Sequence, residues 1–198
     1  MVIAERFAWA HLPKAGGTAT QAMLAAVPGL IHHADPIDSN DKHDAFWVRE
    51  DAIAGKLRAM NIRRLPSWVL SAAHHKSVSG LWPDFEPLPL PSVEEMTEST
   101  DPDDMLRWMT DGPRMPVDRW LRTEHLLEDV CALLEEVDAM SRRSRHRIDA
   151  VPWVGKSYDH DVARAFAPSD IRRMYERNPG WAEAERVAYG ESTSSAFS

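Results

Sequence analysis

Residues 11–20 read His11-Leu12-Pro13-Lys14-Ala15-Gly16-Gly17-Thr18-Ala19-Thr20. One lysine stands just before two glycines, and two threonines follow. Glycines let the backbone turn tightly and leave no side chain between the amides and a ligand. A helix beginning there offers unpaired N–H groups and the positive end of its dipole to an anion. Thr18 and Thr20 add hydroxyl donors, and Lys14 adds a fixed charge. The chemistry these residue types can do is the binding of a phosphate or sulfate group. The order is not that of the nucleotide P-loop GxxxxGK[ST], whose lysine comes after the glycines. No clear acidic strand end supplies a magnesium ligand, so magnesium-assisted phosphoryl transfer is disfavoured.

For this string to act, a strand must deliver it and a helix must receive it. Residues 6–12 read as a short apolar strand, and residues 17–26 as a helix stopped by Pro28-Gly29. Residues 30–34 are a second strand candidate, followed by a polar loop over 35–44. Residues 45–57 have helical spacing, 59–62 a strand pattern, and Pro66 permits a helix over 67–76. A proline- and aromatic-rich loop runs over 79–91, and an acidic stretch over 92–111 holds a possible helix at 103–109. A strand candidate at 116–121 leads into the strongest amphipathic pattern, at 124–140. The basic run 142–147 reads as a solvated linker and 149–159 as a loop. Helices are expected over 168–177 and 180–188. Alternating short strands and helices predict an α/β fold: a single P-loop-like domain over residues 1–190, with a short, largely parallel sheet flanked by helices and a flexible tail at 191–198. Ligands in such sheets bind beyond the carboxyl ends of the strands.

The chain has 198 residues, 43% apolar and 27% charged, which suits one domain with a real core. Lysine and arginine total 23 against 31 acids, for a net charge of -8, which argues against a general nucleic-acid binder. A small anionic ligand needs only a local cluster of donors. No run approaches the roughly 20 apolar residues of a membrane span. The first residues do not read as a secretory signal. Cys131, alone among apolar neighbours, is expected to be a buried helix residue, and a reducing, cytoplasmic setting is the simplest reading. Trp47, Trp82, Trp108 and Trp153 sit in polar or proline-rich surroundings. They either pack long loops or line an aromatic pocket.

The string 11–18 resembles the 5′-phosphosulfate loop of the sulfotransferase family, closest to carbohydrate-type and bacterial members with a Pro-Lys-Thr-Gly-Gly-Thr pattern. Ala15 stands where the family usually has threonine or serine, which removes a hydroxyl but keeps the amide. The resemblance implies 3′-phosphoadenosine 5′-phosphosulfate as sulfuryl donor and adenosine 3′,5′-bisphosphate as product. Lys14 and the backbone of Ala15, Gly16, Gly17, Thr18 and Ala19 would hold the 5′ end. The family's 3′-phosphate signature resembles residues 62–71: Arg63 and Ser71 have its spacing of eight, and Arg64 is the reserve arginine. Arginine suits a phosphate because its fork donates two hydrogen bonds at once. Segment 117–126 is similar to the family's Arg-x-Glu-x-Leu segment and reads as structural, with Glu124 capping a helix or pairing with Arg122. The loop over 154–157 resembles a late nucleotide-covering loop and offers Lys156 and Ser157.

What the resemblance implies is in-line sulfuryl transfer to a hydroxyl or amine of a small metabolite or sugar, with Lys14 and the turn amides stabilising the leaving oxygen and no metal required. Acceptor pockets would come from loops over 35–50 and 79–115. A base must take the acceptor's proton. His33 is the first candidate and His32 the second, because imidazole titrates near neutrality. As strand neighbours they face opposite ways. Glu50, Asp35, His74 and His75 compete. A nucleotide-binding or scaffold protein without transferase activity, and a P-loop kinase, are the alternatives. The oligomeric state is left open.

Overall fold

The computed structural model describes residues 1–36, 38, 43–78, 101–111, 114–152 and 161–190. The loop over 79–91 with Trp82, the residue Trp153, segment 154–157 with Lys156 and Ser157, and the tail 191–198 lie outside the described residues. The chain packs as two compact units, Met1–Ile62 with Arg107–Val154, and Arg63–Leu106 with Gly155–Ser198.

The first unit is a mixed α/β structure built on strands β1 (Val2–Ala4), β2 (Phe7–Ala10), β3 (Ile31–Ala34), β4 (Leu57–Ile62) and β5 (Arg119–Arg122). They form one sheet in the order β3-β1-β2-β4-β5. The expected first strand is β2, shorter than 6–12, and β1 ahead of it is an addition to the sequence pattern. Two apolar runs flank exposed Glu5 and Arg6, so the chain folds back as a hairpin with Val2 opposite Trp9. β1 runs antiparallel to both β2 and β3, whereas β2 pairs β4 and β4 pairs β5 in parallel. The sheet is therefore mixed through one strand. β2, β3, β4 and β5 share a direction, and their carboxyl ends share one edge.

Helix α1 (Gly17–Ala25) follows β2, and a 3-10 turn (Phe46–Arg49) leads into the short α2 (Glu50–Ile53) in place of a longer helix to residue 57. Helix α3 (Leu65–Val78) belongs to the second unit, and α4 (Pro102–Thr110) spans the division. After β5 a 3-10 turn (Thr123–His125) precedes α5 (Leu126–Glu136). α5 stops short of residue 140 because Asp138 turns left-handed (φ 53) and the Ala139 N–H closes on the Leu134 carbonyl at 2.8 Å. The basic run is not a linker but helix α6 (Arg142–Asp149). Ser141 caps it by accepting from the Ser144 N–H at 3.0 Å, and Ser144 and Ile148, one turn apart, form its buried stripe. One face of the sheet, with Val2, Phe7, Trp9, Ala59 and Leu121, packs on Met23 and Leu24 of α1, Val130, Leu133 and Leu134 of α5, and Ile148 of α6. Cys131 is buried in this core. Arg122 forks onto Asp129 of α5 at 2.7 and 2.9 Å.

In the second unit α7 (Val162–Ala165), α8 (Pro168–Arg177) and α9 (Pro179–Tyr189) accompany α3. Prolines open α8 and α9, where a missing N–H costs nothing. The Asp103 carboxylate accepts from the Gly180 and Trp181 N–H groups at 2.8 and 2.6 Å, capping α9. Trp68 and Trp181 pack together, fully buried, with ring centroids 5.1 Å apart. Among the described residues no helix is long and apolar enough to cross a membrane.

Candidate functional site

The glycine turn leaves the carboxyl end of β2 and closes through the Ala15 N–H to the Leu12 carbonyl at 3.4 Å. Lys14 (φ 61) and Gly16 (φ 84) are both left-handed. Such a backbone costs a non-glycine residue about 1–3 kcal/mol and is held only by its surroundings. Those surroundings are visible. The Thr123 hydroxyl lies 2.8 Å from the Ala15 carbonyl and 3.0 Å from the Ile62 carbonyl, donating between them, and so ties the turn to the end of β4. A Cβ on Gly16 would sit 3.2 Å from the Thr123 methyl. At Gly17 a Cβ would lie 1.9 Å from the His11 ring, so this glycine answers to packing as well as to the turn. His11 is buried, stacked on Trp9 at 5.4 Å and against His43 at 4.6 Å, and the His11 carbonyl lies 3.0 Å from His43 Nδ1.

Gly16 is the N-cap of α1. Among the described residues no side chain caps this helix, and no acid stands in its first turn. Thr18 is exposed and Lys14 half-buried. Thr20 faces the other way. Its hydroxyl accepts from Asn61 Nδ2 at 2.9 Å, and Asn61 Oδ1 accepts from Trp9 Nε1 at 2.7 Å. Thr20 and Asn61 are fully buried and Trp9 nearly so. This satisfied polar cluster locks α1 to β2 and β4 and fixes the helix end over the strand end.

His33 and Asp35 lie at the same edge. Ile3 of β1 pairs with Ala8 on one side and His33 on the other, so His33 is level with β2 two strands away, about 10 Å across the sheet. His33 Nε2 lies 2.8 Å from Asp35 Oδ1. The buried Asp35 carboxylate also meets the Met1 ammonium at 2.5 Å and Arg49 at 3.3 Å. Burial would push this carboxyl up. The hydrogen bonds of the Met1 ammonium and His33, and the charges of the ammonium and Arg49, hold it below its ordinary value instead. Gln21, one turn into α1, donates to the Asp35 carbonyl at 3.3 Å, which brings the end of β3 beside the first turns of the helix. Between His43, tied to His11, and Arg49, tied to Asp35, stands Trp47. It is exposed, edge-on to exposed Trp108 at 5.9 Å, and donates Nε1 to the Trp108 carbonyl at 2.8 Å.

The structure separates the two candidate histidines. His32 lines a cleft of about 460 Å³ with Glu5, Arg6, Phe7, Leu30 and Asp138, at the β1–β2 hairpin. Glu50 pairs with Arg114. In the second unit Arg64 is engaged by the fully buried Glu185 at 3.4 Å and lies over the Tyr189 ring at 3.8 Å. Glu185 also accepts from the Leu65 N–H at 2.6 Å and from Tyr175 at 3.1 Å. Burial drives the Glu185 carboxyl up to about 7, against the Leu65 N–H and Arg64, and pushes the Tyr175 phenol up as well. Arg63 accepts Trp181 Nε1 on its carbonyl at 3.1 Å. Ser71 is buried on α3, which also carries His74 and His75. Among the described residues no group of three or more histidine, cysteine or acidic side chains is placed to hold a metal ion.

Sequence reasoning misses Thr123, Asn61 and Gln21. They act through bonds spanning 108, 41 and 14 residues, for which no local pattern exists. Comparison with protein-family models, with characterised proteins and with solved structures finds no match to this chain.

Proposed function

We propose that this chain is a sulfotransferase using 3′-phosphoadenosine 5′-phosphosulfate, with a small hydroxylated metabolite or sugar as acceptor. One observation carries the reading: the Lys14-Ala15-Gly16 turn at the carboxyl end of β2 opens directly into a nine-residue helix whose N-cap is a glycine and whose first turn holds no acid. Such a positive helix end favours an external anion, and a lysine stands beside it in the sequence. The strand–turn–helix unit, and four strands running one way, are read as a P-loop-like arrangement.

The donor fits these residues at its 5′ end. Lys14 and the amides of Ala15, Gly16, Gly17, Thr18 and Ala19 would hold the phosphosulfate. Arg63, with Ser71 at the family spacing, keeps its place for the 3′-phosphate only through the resemblance, and Arg64, which meets Glu185 and Tyr189, stays the reserve. Lys156 and Ser157 keep their place only through the resemblance. When bound, the donor supplies a sulfuryl group whose bond to the phosphate oxygen breaks as one to the acceptor oxygen forms. Lys14 and the helix end then face the oxygen on which charge grows. His33, near the carboxyl end of β3, would take the acceptor's proton. The exposed Trp47–Trp108 pair borders this edge and offers ring faces to an acceptor.

The test needs no knowledge of the acceptor, because water can serve as one. Wild-type protein is expected to release adenosine 3′,5′-bisphosphate and sulfate from the donor above the buffer rate. Lys14→Ala should lose roughly 10²–10³ of that rate, the usual worth of one such donor, with an unchanged circular-dichroism spectrum. A loss of less than about tenfold contradicts the role of Lys14.

A further inference from the structure

We infer that Asp35 is the positioning residue of the base: it accepts the Nε2 hydrogen of His33, holds the ring at the rim of the sheet, and leaves Nδ1 as the atom that takes the acceptor's proton. The inference rests on the sulfuryl-transfer reading and adds to it an orienting group and a proton-accepting atom.

The two side chains are two apart on an extended segment and so share a face. Their contact, Nε2 to Oδ1 at 2.8 Å, is of hydrogen-bond length. Asp35 is 4% exposed, whereas His33 is 44% exposed, so the carboxylate is fixed within the protein and the imidazole reaches out from it. The groups facing Asp35 are all donors or cations: the Met1 ammonium, Arg49 and His33 on its carboxylate, and Gln21 on its carbonyl. These partners keep it ionised at neutral pH. An ionised carboxylate only accepts, so Nε2 must carry the hydrogen. The neutral ring is then left with its lone pair on Nδ1. As an acceptor hydroxyl attacks sulfur, its proton passes to Nδ1, and the imidazolium that forms is stabilised by the carboxylate behind it. Gln21, one turn into α1, donates to the Asp35 carbonyl and so brings the end of β3 beside that helix. His32, the strand neighbour of His33, instead lines the cleft at the β1–β2 hairpin.

Nitrogen-detected NMR of the histidine side chains, with His33 assigned by His33→Ala, reads the tautomer directly in the wild-type protein. Neutral His33 is expected to be protonated on Nε2, and Asp35→Asn to perturb that signal. Donor hydrolysis is then measured for wild type, Asp35→Asn, His33→Ala and the double variant. Asp35→Asn should lose roughly tenfold or more, a share of the 10²–10⁴ typical of a positioned proton acceptor. In the His33→Ala background it should change nothing further, because it acts through the ring. An Nδ1-protonated ring in the wild type overturns the inference. So does an Asp35→Asn loss of equal size with and without His33. Wild-type protein that neither hydrolyses the donor nor binds adenosine 3′,5′-bisphosphate instead removes the sulfuryl-transfer reading, and the positioning role with it.

Discussion

At the scale of single residues, Gly17 separates two reasons for a glycine. Its place in a phosphate-type turn asks for an open backbone, and the His11 ring 1.9 Å from where its Cβ would stand asks for the same thing. Gly17→Ala should therefore destabilise the fold itself, by about 1–3 kcal/mol as in other overpacked sites. A urea midpoint equal to wild type would show that His11 moves aside freely. Glu185 makes a prediction of opposite character. Burial raises its carboxyl to about 7 from the ordinary 4.5, so the folded chain binds a proton that the unfolded chain has released between those values. That contribution to stability is complete below about pH 4.5 and is lost as pH rises through about 7. Glu185→Gln, which keeps an acceptor for the Leu65 N–H, should flatten the pH dependence of the urea midpoint between pH 5 and 7. A variant retaining the wild-type slope would place the titrating group elsewhere. The left-handed turn ahead of α1 is legible in the sequence because its paired glycines are themselves the signal. The His33–Asp35 pair is only half legible: both residues are candidates for the base, but their contact, and the burial of one beside the exposure of the other, follow from the fold.

At the scale of elements, α1 matters through what pins it. The Trp9–Asn61–Thr20 cluster is buried, and each bond in it satisfies a group that would otherwise be stranded. Thr20→Val removes the acceptor of Asn61 Nδ2 and should cost about 1–3 kcal/mol, the penalty for an unsatisfied buried donor. A cost below about 0.5 kcal/mol would mean that the amide finds another partner. Elements whose signals are local are readable. α8 and α9 start on prolines, and α5 follows its apolar period, although its end is set by the left-handed Asp138. α6 reads as a linker only while its charge is weighed above the Ser141 cap and the Ser144–Ile148 stripe. β1 escapes a sequence reading because three residues are too few for a pattern, and it becomes a strand only by lying between β2 and β3.

At the scale of the molecule, a net charge of -8 would make the proposed binding of a multiply charged anion a local affair. The long-range field opposes it, and Lys14 with the α1 end must overcome that field at short range. The mixed α/β class is legible, since strand and helix patterns alternate along the chain. The antiparallel insertion that makes the sheet mixed is not, since strand order leaves no mark on composition. The claim on which the rest depends is that the turn at residues 14–18 is an anion cradle, and calorimetric titration of the wild-type protein with adenosine 3′,5′-bisphosphate tests it most directly. Saturable one-to-one binding, weakened by salt and abolished in Lys14→Ala, is the expected result, with a concentration-dependent rise in Tm accompanying it. No heat of binding at millimolar ligand, or equal binding by Lys14→Ala, would contradict it.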